Sequence, residues 1–229
     1  MEKLGILGGM GPLCTAHFYE KIVKYTKANK DQDHIPTIIL SDPQIPDRTS
    51  VILTGKEKDL LLEKAKEDLK TLEQLSAKNI AIPCNTMHYF YDEFVKMTDV
   101  NIINMIYETI KYCKENKAKN IAVLGTRGTI DSGIYEKYAD EFDINIIKLS
   151  EEEKDLIMET IYSIKETNNT KKDEFIKMIS DIKDHDVDRI IIACTELSLV
   201  EGIENLDYIV DAMDILARKS IITMGYELK

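Results

Sequence analysis

Ile80-Ala81-Ile82-Pro83-Cys84-Asn85-Thr86 and Ile190-Ile191-Ile192-Ala193-Cys194-Thr195-Glu196 are two versions of one pattern. A short run rich in isoleucine, with no polar alternation, reads as a strand buried on both faces. Such strands belong to parallel sheets covered by helices. Each run stops at a cysteine, and polar residues suited to starting a helix follow. At a junction of this kind, backbone N–H groups and the positive end of a helix dipole favour an anion. A thiol placed there is favoured as thiolate, the form that acts as base or nucleophile.

Working outward, residues 3–7 read as another buried strand, running into the turn Gly8-Gly9-Met10-Gly11-Pro12. Pro12 suits the first turn of a helix, expected to reach residue 29. A strand at 35–40 leads into Pro43-Gln44-Ile45-Pro46-Asp47-Arg48-Thr49, a stretch too proline-rich for regular structure. Leucines 61, 62, 69, 72 and 75 predict an amphipathic helix over 57–77. After the first cysteine strand come a helix over 86–97, a weak strand at 101–105 and a helix to 116. A strand at 120–124 enters Gly125-Thr126-Arg127-Gly128-Thr129. A helix, a strand at 144–148 and helices at 151–166 and 171–183 lead to the second cysteine strand. A strand at 207–210 and a helix at 212–225 close the chain.

Strands alternating with helices predict an α/β fold. The motifs also repeat: a glycine turn precedes Cys84, and a second precedes Cys194, by about seventy residues in each case. The expectation is two pseudo-symmetric α/β domains, each with a mainly parallel central sheet flanked by helices. The first takes residues 1–100 and is completed by the closing helix at about 212–229. The second takes 101–211. Ligands of open parallel sheets bind at the carboxyl ends of strands, where both glycine turns and both cysteines fall. If the halves face each other, these features surround one cleft.

With 229 residues, 31% of them charged and a formal net charge of −11, the chain lacks the basic footprint of a general nucleic-acid binder. No apolar run approaches the length of a membrane helix. The N-terminal apolar stretch is too short for a signal peptide, so four cysteines read as reduced thiols and the expected location is the cytoplasm. No Cys-x-x-Cys or other zinc spacing occurs, and no metal is expected.

Each candidate residue also has a plain structural reading. A strand-end cysteine is usually core, but two at equivalent points of a repeat suggest paired catalysis. Cys113 falls on a helix face with Ile106 and Ile110 and reads as core; Cys14 reads as core or as support for the glycine turn. Gly5-x-x-Gly8-Gly9-x-Gly11 does not match the dinucleotide pattern G-x-G-x-x-G, although a tight turn can offer N–H groups to an anion. Arg48 is either a solvated arginine or a planar fork for a carboxylate. Lys165, near a helix end, suits the helix dipole. His88 reads as a hydrogen-bonded structural residue.

The glycine turn 8–12, the Pro-Gln-Ile-Pro-Asp-Arg-Thr loop, Pro83-Cys84-Asn85-Thr86-Met87-His88, Leu124-Gly125-Thr126-Arg127-Gly128-Thr129 and Cys194-Thr195-Glu196-Leu197 together resemble the aspartate/glutamate racemase family. The resemblance spans nearly the whole chain, in order, and favours the aspartate racemase branch. It implies an active site between two α/β domains, usually within a homodimer, and catalysis without pyridoxal phosphate or any other cofactor. It implies Cys84 and Cys194 as the acid/base pair. It further implies Arg48 and Lys165 on the side-chain carboxylate of an acidic amino acid, with Met10, Gln44, Asn85, Thr86, Thr195 and Glu196 lining the substrate. Cys14 departs from the alanine common at that point.

Two thiols on opposite sides of an α-carbon suit racemisation, because one removes the proton and the other returns one. The pair would titrate as a unit. The carbanion would be stabilised by N–H and hydroxyl donors aimed at the α-carboxylate. Interconversion of L- and D-aspartate, and of glutamate too, is the reading. A maleate isomerase-like enzyme of the same fold and a non-catalytic protein binding anionic metabolites are the alternatives.

Overall fold

The computed structural model describes residues 2–229. Lys3–Gly8 forms β1, an inner strand whose residues from Leu4 to Gly8 are all buried. Pro12 then starts α1 (Pro12–Tyr25) as its first residue. Next come the edge strand β2 (Thr37–Ser41), α2 (Arg48–Thr54), α3 (Lys58–Gln74) and β3 (Ala77–Ala81). A 3₁₀ segment, Thr86–Phe90, leads into α4 (Tyr91–Phe94) and β4 (Asn101–Ile102). The second half runs α5 (Met105–Glu115), β5 (Asn120–Gly125), α6 (Arg127–Ile130), α7 (Ile134–Glu141), β6 (Asn145–Ile146), α8 (Glu151–Thr167), α9 (Asp173–Lys183), β7 (Arg189–Ala193) and β8 (Ile209–Asp211). The chain closes with α10 (Ala212–Thr223).

Two compact units result. One ends at Met105 and takes back Met213–Lys229; the other is Ile106–Ala212. The first holds a four-stranded sheet in the order β2-β1-β3-β4, the second a sheet in the order β6-β5-β7-β8. Every paired strand is parallel. The two orders are equivalent, β1 corresponding to β5 and β3 to β7, which confirms two α/β domains built on one plan. In each sheet the chain steps outward to an edge and then crosses back over its first strand. The crevice this reversal creates lies between β1 and β3, and between β5 and β7, at their carboxyl ends.

Each unit has its own apolar core. In the first, Leu61, Leu69 and Leu72 of α3 pack with Leu7, Ile80 and Ile82. In the second, Ile157, Ile161 and Ile164 of α8 and Phe175, Ile179 and Ile182 of α9 pack with Leu124, Ile190 and Ile192. The helical spacing of three and four residues sets these stripes. No helix among the described residues is long and apolar enough to cross a membrane.

Several expectations change. The Pro43–Thr49 stretch is irregular as expected only through Asp47, which accepts the Ser50 N–H at 2.8 Å and caps α2, so Arg48 and Thr49 are helical. The helix expected over 86–97 is a 3₁₀ segment followed by one α-turn. The last strand begins at Ile209, and α1 stops at Tyr25, where Thr26 turns extended.

Candidate active site

The Gly8–Gly11 turn follows β1 and Cys84 follows β3, the neighbouring strand. Ile6 pairs with Ala81, so both segments leave the sheet at one edge. Glycine is required here for two reasons. Gly9 has φ +94, and a side chain on it would meet the backbone of Asp42 at 2.4 Å; one on Gly8 would strike Thr15 at 2.2 Å. The Gly9 N–H donates to Thr15 Oγ1 at 2.9 Å, and that hydroxyl donates to Gly11 O at 2.9 Å. Thr15 therefore pins the turn and consumes an N–H that the sequence suggested was open to an anion. Its place four residues after Gly11, in the first helical turn, is the signal that would have found it.

Cys84 sits three residues beyond β3 and is 6% exposed. Met10, Ile45 and Cys84 belong to one buried cluster. Asn85 and Thr86 directly follow and are also buried. His88 Nε2 accepts the Met105 N–H at 3.1 Å, so the ring proton is on Nδ1, which donates to the Cys84 carbonyl at 2.9 Å. Burial lowers the His88 pKa and keeps the ring neutral. The structural reading of His88 holds.

Arg48 opens α2 and is half-buried. Its Nη1 reaches the carbonyls of Ile45 and Pro46 only at 3.4 and 3.3 Å. Its Nε is buried and meets no acceptor among the described residues. A guanidinium with a buried, unmatched donor is suited to an incoming carboxylate. Gln44 is exposed in the turn after β2, its N–H bonded to Asp42 Oδ1 at 2.8 Å.

In the second unit, Gly125 pairs with Ala193, so the turn after β5 starts beside Cys194. A side chain on Gly125 would lie 2.9 Å from the Ala193 carbonyl, which explains the glycine. Cys194 is 7% exposed, and Thr195 and Glu196 are buried with it. The Cys194 thiol donates to Glu196 Oε2 at 2.9 Å, and Thr195 Oγ1 lies 3.4 Å from the same oxygen. From the last turn of α8, Lys165 Nζ reaches Glu196 Oε1 at 3.7 Å. Cys194, Thr195, Glu196 and Lys165 thus form one cluster. Beside it, the buried hydroxyls of Thr126 and Thr129 are 3.3 Å apart.

Helix dipoles contribute less to the thiols than the sequence suggested. The segment after Cys84 is 3₁₀, and only the short 3₁₀ turn Leu197–Leu199 follows Cys194. Few peptide units are aligned there to build a dipole. Arg127, in the second glycine turn, is engaged by Glu151 at 2.8 Å and Asp155 at 2.7 Å, which raises its pKa further. Cys14 is buried in the first turn of α1, and Cys113 is fully buried in α5.

Comparison with known proteins places this geometry. The family model described as Asp/Glu/Hydantoin racemase matches residues 7–219. The broad specificity amino-acid racemase RacX of Bacillus subtilis (strain 168) is 30% identical over 227 residues, covering 96% of this chain and 97% of that protein. The structure titled Picrophilus torridus aspartate racemase superposes with a TM-score of 0.89 and 31% identity, covering 100% of this chain and 96% of the other. The glutamate racemase of Hydrogenobaculum sp. (strain Y04AAS1) is 25% identical over 179 residues, covering 72% of this chain and 67% of that protein. With a match over most of its length, two sheets of equivalent order and a relative aligned nearly end to end, the chain belongs to the Asp/Glu/Hydantoin racemase family.

Proposed function

We propose that this protein racemises an acidic amino acid, aspartate foremost and glutamate as well, by a two-base mechanism in which Cys84 and Cys194 exchange the roles of acid and base. One observation carries the reading: two buried thiols occupy equivalent positions, at the carboxyl ends of the third strand of two sheets with equivalent order. The reading requires both sulfurs to address one α-carbon from opposite sides. A thiolate takes the α-proton, the opposed thiol delivers its own, and the carbanion inverts. Net charge is unchanged, and the two sulfurs end with their protonation states exchanged.

In this reading Arg48 grips the distal carboxylate, because its Nε is desolvated and unmatched. Lys165 adds a second positive charge. Asn85, Thr86 and Thr195 direct donors at the α-carboxylate as it takes on charge, and low water access strengthens each contact. Met10, Gln44 and Glu196 complete the lining. No cofactor takes part. Apolar Ile39 on edge strand β2 and Leu53 and Leu60 on α2 and α3 are exposed, which suits the homodimer included in this proposal.

A second reading is broader specificity among amino acids. Lys165 is already partly neutralised by Glu196 at 3.7 Å, which weakens its claim on a substrate carboxylate. One methylene in a pocket changes binding by only about 1–3 kcal/mol, so aspartate and glutamate would both be accepted.

The test is a chiral assay of purified protein with aspartate, glutamate and neutral amino acids, in both directions, without added cofactor and in D₂O. D-aspartate formation with deuterium at the α-carbon is expected. Cys84→Ala and Cys194→Ala should each lower the rate by about 10²–10⁴-fold or more. Full activity in either variant would overturn the two-base reading. Conversion of maleate to fumarate would establish the isomerase alternative, and ligand-induced thermal shifts without turnover would establish a binding protein.

A further inference from the structure

Glu196 is an odd residue to line a pocket for a dicarboxylic substrate. Its carboxylate would repel both substrate carboxylates, yet it is only 5% exposed. Burying a charge is costly unless partners compensate. Two partners are in reach: the Cys194 thiol, which donates to Oε2 at 2.9 Å, and the Lys165 ammonium, 3.7 Å from Oε1. The carboxylate is thus aimed at a sulfur and backed by a cation.

We propose that Glu196 is the positioning residue of Cys194: its carboxylate holds the thiol proton and takes that proton up when Cys194 must act as base. This inference rests on the acid/base role proposed for Cys194. When Cys194 acts as acid, it carries its proton toward the substrate, and the Glu196 charge opposes premature ionisation. When it acts as base, the S–H bond breaks and an O–H bond forms at Oε2, 2.9 Å away. The product is a thiolate beside a neutral carboxylic acid, and the pair keeps a total charge of −1. That route avoids placing two negative charges at hydrogen-bond distance, which the low dielectric of a buried site would penalise heavily. Lys165, from α8, limits how readily Glu196 takes the proton, so it tunes the exchange.

The experiment is site-resolved alkylation of the full-length protein by iodoacetamide across pH, with Cys194 read by peptide mass spectrometry. Thiolate is the reacting form. In the wild type, the midpoint of Cys194 labelling should lie above the value of about 8.5 for a free thiol. In Glu196→Gln it should fall by about one pH unit or more, raising the labelling rate near neutral pH by about tenfold. Glu196→Asp keeps the charge and should keep the high midpoint, an effect that loss of packing alone would not reproduce. A wild-type midpoint below about 8.5, or equal midpoints in wild type and Glu196→Gln, would overturn the proposal. If Glu196→Gln does not fold, the wild-type midpoint decides. Labelling needs no turnover, so a shifted midpoint in a protein without racemase activity would support the thiol–carboxylate pair and sink the racemase reading. Turnover with unshifted midpoints would do the reverse.

Discussion

His88 Nδ1 donates to the carbonyl of Cys84 at 2.9 Å, across one turn of chain, while Nε2 accepts the Met105 N–H at 3.1 Å. A single neutral ring therefore satisfies two buried backbone groups and fixes the peptide carrying a proposed catalytic thiol. Only one tautomer fits, because a carbonyl cannot donate and an amide N–H cannot accept.

Stability should fall on acidification because of His88. Burial lowers its folded pKa below the ordinary value of 6.5. The unfolded state then binds more protons, so this contribution is present above about pH 6.5 and is lost as pH falls toward the folded value. The slope is at most about 1.4 kcal/mol per pH unit. Replacing His88 by Gln should flatten the difference between urea midpoints at pH 7.5 and 5.5. It should also cost about 1–3 kcal/mol at pH 7.5 through imperfect pairing of the two backbone groups. An unchanged pH slope would show that His88 does not titrate in this way.

Asp68 should act with the opposite sign. Its carboxyl on α3 is pushed up to about 6, first by burial and then by the nearby Asp42 charge, with Lys64 offsetting part. One oxygen is buried without a hydrogen-bond partner among the described residues. Here the folded state binds more protons, so the contribution is present below about pH 3.8 and is lost as pH rises through 6. At pH 7 the ionised group is a liability. Asp68→Asn should stabilise by about 1 kcal/mol at pH 7, a figure reduced for the solvent that screens a half-exposed group. The gain should shrink toward pH 4. Destabilisation at pH 7 would contradict this account.

Legibility in the sequence followed burial. The isoleucine-rich runs that include Ile80-Ala81 and Ile190–Ile192 and the apolar run at 121–124 lie in inner strands, because strands buried on both faces leave an unambiguous apolar signature. The edge strand β6, expected at 144–148 from Ile144, Ile146 and Ile147, forms but is only Asn145–Ile146. Helix α2 was missed because Pro43 and Pro46 dominated the reading, although Asp47 and left-handed Gly55 bracket it as N-cap and C-cap. Cys194, Thr195 and Glu196 are contiguous and legible as a group. The approach of Lys165 to Glu196, 31 positions further along the chain, depends on tertiary packing. No local pattern encodes that Glu196 turns toward a sulfur.

Gly9 and Gly55 make a controlled pair for the glycine turn. Both have positive φ, +94 and +72, but an added side chain meets Asp42 backbone at 2.4 Å at Gly9 and nothing within 4 Å at Gly55. Gly55→Ala should cost about 1 kcal/mol, the strain of a left-handed alanine. Gly9→Ala adds collision with backbone and should cost more than about 2 kcal/mol, or displace the turn from Asp42. Thermal melts of the two variants check this; equal losses would mean that the turn relaxes freely and that crowding against Asp42 does not define it.

Cys113 should be chemically silent and so calibrate any labelling of Cys84 and Cys194. It is fully buried in α5, and burial pushes its thiol up to about 12, with Arg189 offsetting a little. At pH 8.5 fewer than about one molecule in a thousand would carry the thiolate at this site. Alkylation of Cys113 should therefore proceed only through unfolding and should accelerate with urea in step with loss of structure. Cys113→Ala should leave racemisation intact and cost about 1–2 kcal/mol from the small cavity. Rapid labelling of Cys113 in the native protein would mean that α5 opens locally, and the same opening would admit reagent to the core around Ile106 and Ile110.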